Sequence, residues 1–557
     1  MKHFPKIIAL VLAAILALAP AAAFAKAAPG QECGRGAGEL FPGSGAEDDP
    51  FLISNADELA QLAALVNGGD ECEGFCFALT EDIVLNDTAD FENWSENNRP
   101  ENFWHPIGGG AYSFRGCFDG RGHTVSGMFA CATNGTKLGL FGSAENAVIR
   151  DLSVIRSCVL GNSVAVGGII GAAEGMFITG CEFEGTVTGT RSVGGICGST
   201  GSCYITDCSA QASISAFQYA GGIVGLAGTT SFSGCGASGT IDANDRAGGM
   251  IGYALVGCSA ADCRNGAAIT CDEYAGGIVG IGQNTELSYC ENLADIASER
   301  YTGGIFGFCC GASADSCANR GDISGDYYIG GIVGWCDDGA DFGSSGLYNY
   351  VLRCMNTGAV SGNWGIGGLA GDAHDTDFTD SFNFGPVTSV EYAGGLIGYT
   401  ADCGVLRCYN AGSVAAGTGC GALVGANSMN GTSFENCVYL NTSCAAGDPH
   451  GTARTEEQLL LAESYPGFDF GSVWELAGTG YHFARLRLGA ILPPIPLCGD
   501  ADGSGSVAVA DAVTVLRFAM SLAEPTPLQL FRSDTDGDGS VTVSDAITIL
   551  RIAMGLR

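Results

Sequence analysis

Basic residues are scarce in this chain of 557 residues, where 24 Lys and Arg stand against 60 Asp and Glu and give a formal net charge of −36. Nucleic-acid binding depends on clustered Lys and Arg, and anionic membrane surfaces attract the same residues. The composition therefore argues against both as partners. Acidity of this size also keeps an exposed protein soluble.

Histidine occurs six times, and no two cysteines have the CxxC spacing. A zinc site of the usual composition is therefore not expected. The chain also lacks a GxSxG nucleophile elbow and a P-loop, and no Cys–His pair is convincing as a nucleophile and base. These absences exclude the commonest hydrolase and nucleotide-binding signatures.

Long apolar runs are missing apart from Ile7–Leu18, which follows Lys2 and Lys6 and precedes an A-x-A cleavage site at 23–25. That run is too short for a membrane span and typical of a signal peptide. We predict a signal peptide over residues 1–25, an extracellular protein, and no membrane insertion.

Glycine is abundant, at 89 residues, well above the average share of about 7%. A Gly-Gly pair followed by an apolar pair and Gly recurs, mostly every 27 residues, starting at Gly167, Gly194, Gly221, Gly248, Gly276, Gly303, Gly330, Gly367 and Gly394. A Cys follows 14 residues later in most units, and a Val or Ile six residues after that. Period-27 marks of this kind indicate a repeat architecture.

Three short apolar segments per unit do not fit helical periodicity and favour a coil of three short strands. Equivalent residues of successive coils then stack about 4.8 Å apart. We predict a mainly β protein, a right-handed parallel β-helix of about eleven coils. Its glycines would supply positive φ and close approach, and a ladder from Asn265 to Asn410 would lie at a corner.

The 26 cysteines would ordinarily indicate a disulfide framework in a secreted chain. Their regular spacing favours buried thiols filling the interior for about nine of them, although adjacent rungs lie within disulfide reach. Away from this ladder, Cys72 with Cys76 and Cys309 with Cys336 are candidates for bridges.

Acidic residues gather at the first turn of two consecutive units, after Gly330 and after Gly367. The candidates for a catalytic role are Asp337, Asp338, Asp341, Asp372 and Asp375. Solvated loops, a glycan or calcium site, and a catalytic site all remain open for this cluster, which also contains His374, Asp377, Tyr348 and Tyr350. Trp364 could stack on a sugar, whereas Trp94 and Trp104 are expected mainly to plug the solenoid end.

The last sixty residues contain one acidic loop twice, 34 residues apart. Oxygen side chains at loop positions 1, 3, 5 and 12, with Gly at 6, suit Ca²⁺, and position 7 would use its carbonyl. The predicted ligands of two Ca²⁺ ions are Asp500, Asp502, Ser504, Ser506 and Asp511, then Asp534, Asp536, Asp538, Ser540 and Asp545. One apolar helix is expected after each loop.

This duplicated loop-then-helix unit, residues 499–557, resembles a type I dockerin, which implies a cohesin module of a scaffoldin as partner. By that resemblance, the cohesin-contacting residues would be Val509, Ala510, Leu516, Arg517, Val543, Ser544, Leu550 and Arg551. The pair at loop positions 10 and 11 is mostly apolar here, whereas many dockerins have hydroxyls there. The cohesin class therefore stays open.

The units GGIVG, CxN and a following Val or Ile resemble GLUG-type repeats of bacterial surface proteins. This implies a leading and capping segment at 26–136 with a short helix over Leu59–Val66, repeats at 137–445, an exit segment at 446–490 and a Pro-rich linker at 491–498. The family is mixed in function and implies no catalytic residues.

The leading hypothesis is a secreted protein, held at a cell surface or in a cellulosome-type complex through cohesin, whose solenoid binds polysaccharide or a surface. The alternative is a carbohydrate-active enzyme, a glycoside hydrolase or polysaccharide lyase. A dockerin favours the enzyme, and the lack of a clear acid–base constellation disfavours it. A passive spacer is the third possibility.

Overall fold

The computed structural model describes residues 35–132, 137–340, 346–427, 431–476, 483–487, 501, 508–520, 522–523, 529, 533 and 541–553. The described chain divides into two compact units. The first runs to Cys258 and includes 266–268, and the second comprises 259–265 and the residues from Ile269 onward. Each unit contains parallel β-solenoid turns, in which a strand pairs with its counterpart one repeat later.

Each repeat contributes strands to three faces. Face 1 follows the Gly-Gly pair, face 2 comes next, and face 3 follows the ladder cysteine. In the first unit, face 1 consists of Phe141–Glu145, Ile170–Glu174, Cys197–Gly201, Val224–Gly228 and Ile251–Ala254. Its face 2 consists of Phe51–Ile53, Cys76–Leu79, Cys117–Asp119, Val148–Arg150, Phe177–Thr179, Tyr204–Thr206 and Ser231–Ser233. Its face 3 consists of Ile83–Val84, Thr124–Ser126, Phe129–Ala132, Ser153–Gly161, Ala165–Gly167, Glu182–Gly189, Ser192–Gly194, Ser209–Ala216, Tyr219–Gly221, Gly236–Ala243 and Arg246–Gly248.

The second unit repeats this arrangement. Face 1 consists of Val279–Gln283, Phe306–Cys310, Val333–Asp337, Ala370–His374, Ile397–Ala401 and Val424–Asn427. Face 2 consists of Ser259–Ala261, Glu286–Ser288, Ser313–Asp315, Asn349–Leu352, Thr376–Thr379, Gly404–Leu406 and Ser433–Glu435. Face 3 consists of Arg264–Cys271 (divided between the units), Tyr274–Gly276, Glu291–Asn292, Ile296–Gly303, Ala318–Asn319, Ile323–Gly330, Met355–Asn356, Val360–Gly367, Phe382–Asn383, Val387–Gly394, Tyr409–Asn410, Val414–Gly421, Val438–Leu440 and Thr452–Arg454.

Helices are few in the described chain. They are Arg35–Leu40, Ala56–Asn67, Glu456–Leu459, Val509–Ala519 and Val543–Ala553, with 3₁₀ turns at Phe91–Asn93 and Ala462–Ser464. Trp474–Leu476 and Ala484–Leu486 form a small antiparallel pair. The expected leading helix is present and longer than predicted, and the side chain of Asn55 caps its N-terminus by accepting from the Glu58 N–H.

The predicted mainly β, parallel solenoid is confirmed, but the number of turns is not eleven. Face 2 has seven strands in each unit, fourteen in all. The difference arises because the segment assigned to the cap also forms turns: Phe51–Ile53 pairs with Cys76–Leu79, and Cys76–Leu79 pairs with Cys117–Asp119. The right-handed sense stays a prediction.

The Gly-Gly pairs serve close approach, because none of their residues has a positive φ among the described glycines. A Cβ on Gly331 would lie 2.2 Å from the carbonyl oxygen of Gly368. One left-handed corner falls on the residue before each ladder cysteine, or before Ser381 where Ser replaces it. It is occupied by Gly180, Asp207, Gly234, Asp262, Tyr289, Ser316, Arg353, Asp380, Arg407 and Asn436.

The ladder cysteines are buried, as in Cys181, Cys208 and Cys317. All 24 described cysteines are free thiols. Cys309 and Cys336 are register partners as predicted, whereas the register partner of Cys76 is Cys117. Small thiols therefore fill the interior beside the left-handed corner.

The asparagine ladder forms inside the solenoid and not at a left-handed corner. Asn265, Asn292, Asn319, Asn356, Asn383 and Asn410 are fully buried on face 3. The Nδ2 of each of the first five donates to the Oδ1 of the next rung over 2.7 to 2.9 Å, and the Nδ2 of Asn410 donates to backbone carbonyls. The prediction of a ladder is right and its placement was wrong, because the amides satisfy one another within the core.

The exit segment packs on the last turns of the second unit. Tyr465, Phe468 and Trp474 cluster with Phe382 and Tyr409 in one buried aromatic group. The indole N–H of Trp474 donates to the Asp380 carboxylate at 3.0 Å. These contacts withdraw the apolar side chains of the final turns from water.

Candidate functional site

Two neighbouring face 1 strands of the second unit bring the predicted acidic residues together. Val333–Asp337 pairs with Ala370–His374 in parallel, with Trp335 opposite Asp372. Residues that end these strands therefore emerge at the same edge of the face. The ten-residue insertion follows the first strand, and its start at Asp338 lies beside the second coil's Asp375.

A cleft of about 310 Å³ lies at this edge. Its lining residues are Tyr301, Tyr328, Trp335, Asp337, Asp338, Asp372, His374 and Asp375. Four of the five predicted acidic residues thus line one cavity. The fifth, Asp341, lies outside the described residues.

Aromatic rings form one wall of the cleft. The Tyr301 ring stacks on Tyr328 at 5.6 Å and on Trp335 at 5.1 Å between centroids, with interplanar angles of 5° and 28°. All three side chains are partly exposed. Flat, partly exposed rings of this kind offer an apolar surface with specific geometry to a ligand.

Tyr301 and Tyr328 have left-handed backbones, with φ of 51° and 57°. A bulky residue at positive φ is uncommon and usually marks a constrained position. The equivalent positions in the next coils are Gly365, Tyr392 and Gly419, which are also left-handed. The same conformation recurs at this position from Tyr301 to Gly419, although it is costly for a bulky side chain.

Asp372 and His374 form the polar floor of the cleft. Asp372 is only 6% exposed, and its Oδ1 lies 3.1 Å from His374 Nε2. The ring N–H is not aligned with that oxygen, so Oδ1 has an ion-pair contact but no hydrogen bond. Burial raises the pKa of the Asp372 carboxyl, and the adjacent Asp372 carboxylate raises the pKa of His374.

The remaining acids hold the rim of the cleft. Asp337 accepts from the Gly339 N–H at 2.7 Å, and Asp338 accepts from the N–H groups of Ala340 and Gly346. Partial burial, and then the carboxylate of Asp338, raise the pKa of Asp375. The summed negative charge of these carboxylates gives the cleft a negative potential that would attract a cation.

The other residues of the predicted cluster lie next to this cleft and do not line it. The Tyr348 hydroxyl donates to Asp377 at 3.2 Å, and burial and then Asp377 raise the pKa of Tyr348 to about 12. Tyr350 packs against Tyr348 at 5.7 Å and remains 43% exposed.

The tryptophans divide as predicted between core and surface. Trp94 and Trp104 are buried, and Trp104 donates its indole N–H to the Leu140 carbonyl at 3.0 Å. Trp364 is partly exposed and meets Tyr328 edge to face at 5.0 Å. It extends the aromatic wall without lining the cleft.

The sequence reasoning missed Tyr301, Tyr328 and Trp335. A signal for them exists, because Tyr301 and Tyr328 stand two residues before a Gly-Gly pair and Trp335 stands five residues after its first Gly. In the folded coil these two repeat positions converge on one corner. Aligning the repeats and comparing the residues at these two positions would have located the aromatic wall.

Most of the predicted calcium ligands lie outside the described residues: Asp500, Asp502, Ser504, Ser506, Asp534, Asp536, Asp538 and Ser540. The two described ligands, Asp511 and Asp545, have matching environments. Both are buried, and each accepts a backbone N–H at 2.8 Å, from Ala508 and Thr542 respectively. A buried carboxylate requires a donor or cation partner, and at both residues a backbone N–H group supplies a donor.

The two C-terminal helices share an apolar core of Ala501, Ala512, Val515, Ala546 and Ile549. Among the predicted cohesin-contacting residues, Val509, Ala510, Leu516, Arg517, Val543 and Arg551 are exposed and Leu550 is partly buried. The side chain of Ser544 is not described. The exposed members leave an apolar and basic surface on both helices.

Two absences apply to the described part of the chain only. No group of three or more His, Cys, Asp or Glu side chains there is arranged to hold a metal ion. Within the same residues, no helix has the length and apolarity that crossing a membrane requires.

The chain matches no protein-family model. Over 137 residues, 24% of its length, it is 32% identical to a protein of Evansella cellulosilytica whose name describes a Gly-rich membrane protein. Over 154 residues, 27% of its length, it is 29% identical to halomucin of Haloquadratum walsbyi. These matches cover 14% and 2% of the two relatives, so the chain corresponds to a small part of either.

A solved structure from Bacteroides ovatus, named as an immunoglobulin A1 protease, aligns with 82% of this chain and 98% of its own. The sequence identity is 17% and the TM-score is 0.29. A similarity at this level carries no argument about activity.

Proposed function

We propose that this chain is a secreted, cohesin-docked protein whose solenoid binds polysaccharide at the acidic and aromatic cleft of the second unit. The observation that carries the proposal is the stacked wall of Tyr301, Tyr328 and Trp335 beside the cleft carboxylates. Aromatic faces bind the apolar side of a sugar ring, and carboxylates accept hydrogen bonds from its hydroxyl groups.

The docking part of the proposal is supported by the internal symmetry of the C-terminal segment. Two acidic loops of one pattern are each followed by a helix, and the helices bury equivalent Asp511 and Asp545. A type I dockerin would use Ca²⁺ at these loops to fold and would then bind a cohesin module of a cellulosome-type scaffold. Calcium would supply the cross-link that orders each loop.

Polysaccharide binding is tested by retention of the full chain on insoluble plant and host glycans. Trp335→Ala should reduce retention about three- to tenfold, because one stacking platform is lost. Tyr204→Ala is the matched control, since Tyr204 is an exposed aromatic residue on face 2 of the first unit, 41% exposed. Equal retention of Trp335→Ala and the unsubstituted chain would contradict the proposal.

Docking is tested by capture on immobilised cohesin modules with Ca²⁺ and with EGTA. Capture should require Ca²⁺ and should be lost in the double variant Asp511→Asn, Asp545→Asn, because both loops lose their twelfth ligand. Leu516→Ala should weaken capture without changing the calcium response of the far-UV circular dichroism. Capture that persists in EGTA would exclude a dockerin mechanism.

Polysaccharide cleavage is the second candidate function, favoured by the burial of Asp372. A glycoside hydrolase needs one carboxyl group with a raised pKa as general acid and a second carboxylate nearby, and Asp372 and Asp375 both line the cleft. The described lining contains no Lys or Arg that could act as the base of a lyase. Soluble product release that Asp372→Asn abolishes would establish this function.

A further inference from the structure

We infer that the cleft binds a cationic sugar, an amino-sugar unit of a polysaccharide whose nitrogen carries no acyl group. This inference rests on the proposed polysaccharide-binding function and adds the charge of the ligand to it. Three independent features of the described residues support it: the charge of the lining, the floor carboxylate and a cation held at the same repeat positions in the first unit.

The lining is strongly negative. Four of its eight residues are Asp, and His374 is the one basic residue among those described there. An anionic sugar such as a uronate would meet net repulsion in this cleft, because four carboxylates outnumber the single imidazole, whereas an ammonium group would be attracted. A neutral sugar would donate charge-assisted hydrogen bonds to these carboxylates but would gain no net Coulomb attraction from them.

The floor carboxylate has unused hydrogen-bonding capacity. Asp372 is only 6% exposed, and its Oδ1 has an ion-pair contact with His374 Nε2 at 3.1 Å but accepts no hydrogen bond from the described residues. Leaving a buried acceptor without a donor costs free energy, and the cost is larger for a charged group. A cation bound in the cleft would offset part of that cost, and an ammonium group brings three donors.

The first unit already holds a cation at the equivalent corner. The guanidinium carbon of Arg246 lies 5.0 Å from the Tyr219 ring centroid and 4.9 Å from that of Tyr253. Arg246 and Tyr219 stand two residues before a Gly-Gly pair, and Tyr253 stands five residues after the first Gly.

Tyr301, Tyr328 and Trp335 occupy these same repeat positions in the second unit. In the first unit these positions place a cation over aromatic faces, where the Asp245 carboxylate also pairs with it at 2.8 Å; in the second unit Tyr301 and Tyr328 differ in having left-handed backbones. In the second unit a ligand ammonium would take the place that the Arg246 side chain has in the first.

The test is calorimetric titration of the full chain, at about pH 6, with three oligosaccharides of equal length. These are fully deacetylated chitosan (glucosamine), chitin (N-acetylglucosamine) and oligogalacturonate. At that pH most carboxylates are ionised and the amine is largely protonated. The glucosamine oligomer should bind at least about tenfold more tightly than the other two. Its affinity should fall between low salt and about 0.5 M NaCl as the charges are screened.

Asp338→Asn and Asp372→Asn should each remove most of this preference, lowering the affinity for the glucosamine oligomer about tenfold and the affinity for the N-acetylglucosamine oligomer by less than about threefold. Glu299→Gln is the matched control, because Glu299 is an exposed acid on face 3 outside the cleft. Circular dichroism melting verifies folding. Asp338, which is partly exposed, provides a variant that does not disturb the buried floor.

The outcomes separate the two proposals. Equal or tighter binding of the neutral or anionic oligomer overturns the amino-sugar inference and leaves polysaccharide binding standing. An amino-sugar preference that survives both substitutions also overturns it, because the charge would then act elsewhere. Failure of every oligosaccharide and of the insoluble glycans to bind overturns both.

Discussion

Buried polar side chains stabilise the fold most where they hydrogen-bond to one another. The six ladder asparagines of the second unit are fully buried, and the four inner ones each donate to the next rung and to a backbone carbonyl, as Asn319 does to Gly321 at 2.8 Å. Removing one rung leaves two neighbours with unmet bonds. A buried donor or acceptor without a partner costs about 1–3 kcal/mol.

We therefore expect Asn319→Leu, which nearly preserves volume, to lower the free energy of unfolding by about 2–3 kcal/mol. Asn292 loses its acceptor and Asn356 loses its donor. The measurement is the urea midpoint followed by circular dichroism. Asn363→Ala, at an exposed amide that bonds Asp326, should stay within about 0.5 kcal/mol. Equal midpoints for the two variants would show that the ladder contributes little.

The cleft pair gives a pH prediction at the same scale. The pKa values of Asp372 and His374 are both raised in the folded state, so folding favours their protonated forms. Stability from a raised pKa is complete below the unfolded value and is lost as pH rises through the folded value. For His374 this loss begins above its ordinary value of 6.5.

His374→Gln should accordingly lower the melting temperature more at about pH 5.5 than at about pH 8.5. His105→Gln, at an exposed histidine in the first unit, controls for the loss of an imidazole and should shift both values equally. Melting curves at the two pH values provide the comparison. A larger shift at the alkaline pH would contradict the ion-pair account.

At the scale of the element, each coil depends on backbone contacts that admit no Cβ. The Gly-Gly pair sits where one coil passes directly under the next, and a Cβ on Gly331 would meet the Gly368 carbonyl at 2.2 Å and the Asn356 amide at 2.3 Å. The Asn356 amide cannot move without breaking a ladder bond, and Gly368 contributes rigid backbone. Close approach, and not backbone freedom, explains why this pair recurs.

Gly331→Ala should therefore destabilise the second unit by about 1–3 kcal/mol or more, since overpacking forces the coils apart. Gly110→Ala, where nothing lies within 4 Å of the added carbon, is the control and should be nearly neutral. Thermal unfolding by circular dichroism compares them. A neutral Gly331→Ala would mean that the coils can separate without loss.

The end of the repeat region contains two thiols that lie close together, those of Cys420 and Cys444. The Sγ atoms of Cys420 and Cys444 lie 2.8 Å apart, and the residues are separated by 24 positions. Burial, and then the Cys444 thiol, raise the pKa of Cys420 to about 12. Since the thiolate is the reactive form, oxidation should be slow at neutral pH and faster in alkali.

We expect oxidised glutathione to link Cys420 and Cys444 at alkaline pH, closing a loop worth about 3 kcal/mol of stability. Peptide mapping without reduction detects the bridge, and Cys444→Ser is the control. Fully buried ladder thiols such as Cys317 should remain free until the chain unfolds. A bridge between ladder cysteines in the folded protein would contradict the interpretation of the ladder as packed thiols.

At the scale of the whole molecule, the first turns of the solenoid cover the turns that follow them. The strands Phe51–Ile53, Cys76–Leu79 and Cys117–Asp119 form successive turns, and Phe118 lies opposite Ile149 of the next strand. Without them, Val148–Arg150 becomes an open edge and the buried Phe141 and Ile149 lose their cover. An exposed, apolar edge strand pairs readily with other chains.

Deleting residues 50–128 should thus convert a soluble protein into one that aggregates on expression or dilution. Size-exclusion chromatography and light scattering of the deleted and full chains measure this. A deletion of the linker residues 491–498 is the control for chain shortening. A monomeric, cooperatively melting deletion product would show that the repeats need no cap.

The period-27 pattern was sufficient to predict the parallel solenoid, the buried Val, Ile and Cys columns and the existence of the asparagine ladder. The prediction is possible because each repeat contacts only its neighbours. Residues at equivalent repeat positions in the sequence therefore stack on one another in the structure. The same locality placed Asp337, Asp338, Asp372 and Asp375 at one edge, since equivalent strand ends of adjacent coils must lie together.

Other features depended on tertiary structure. The Gly-Gly pairs of the leading segment, at Gly68 and Gly108, are not followed by the apolar pair and Gly of the repeat, so its three turns could not be counted from the repeat. The left-handed backbone at Tyr301 and Tyr328 and the burial of Asp372 depend on how a corner closes over its neighbours. Thus the repeat by itself determined which residues occupy equivalent positions in successive coils, because that follows from the period. Only the folded coil decided which of these residues enclose a cleft, because enclosure depends on contacts between strands and corners that no single period encodes.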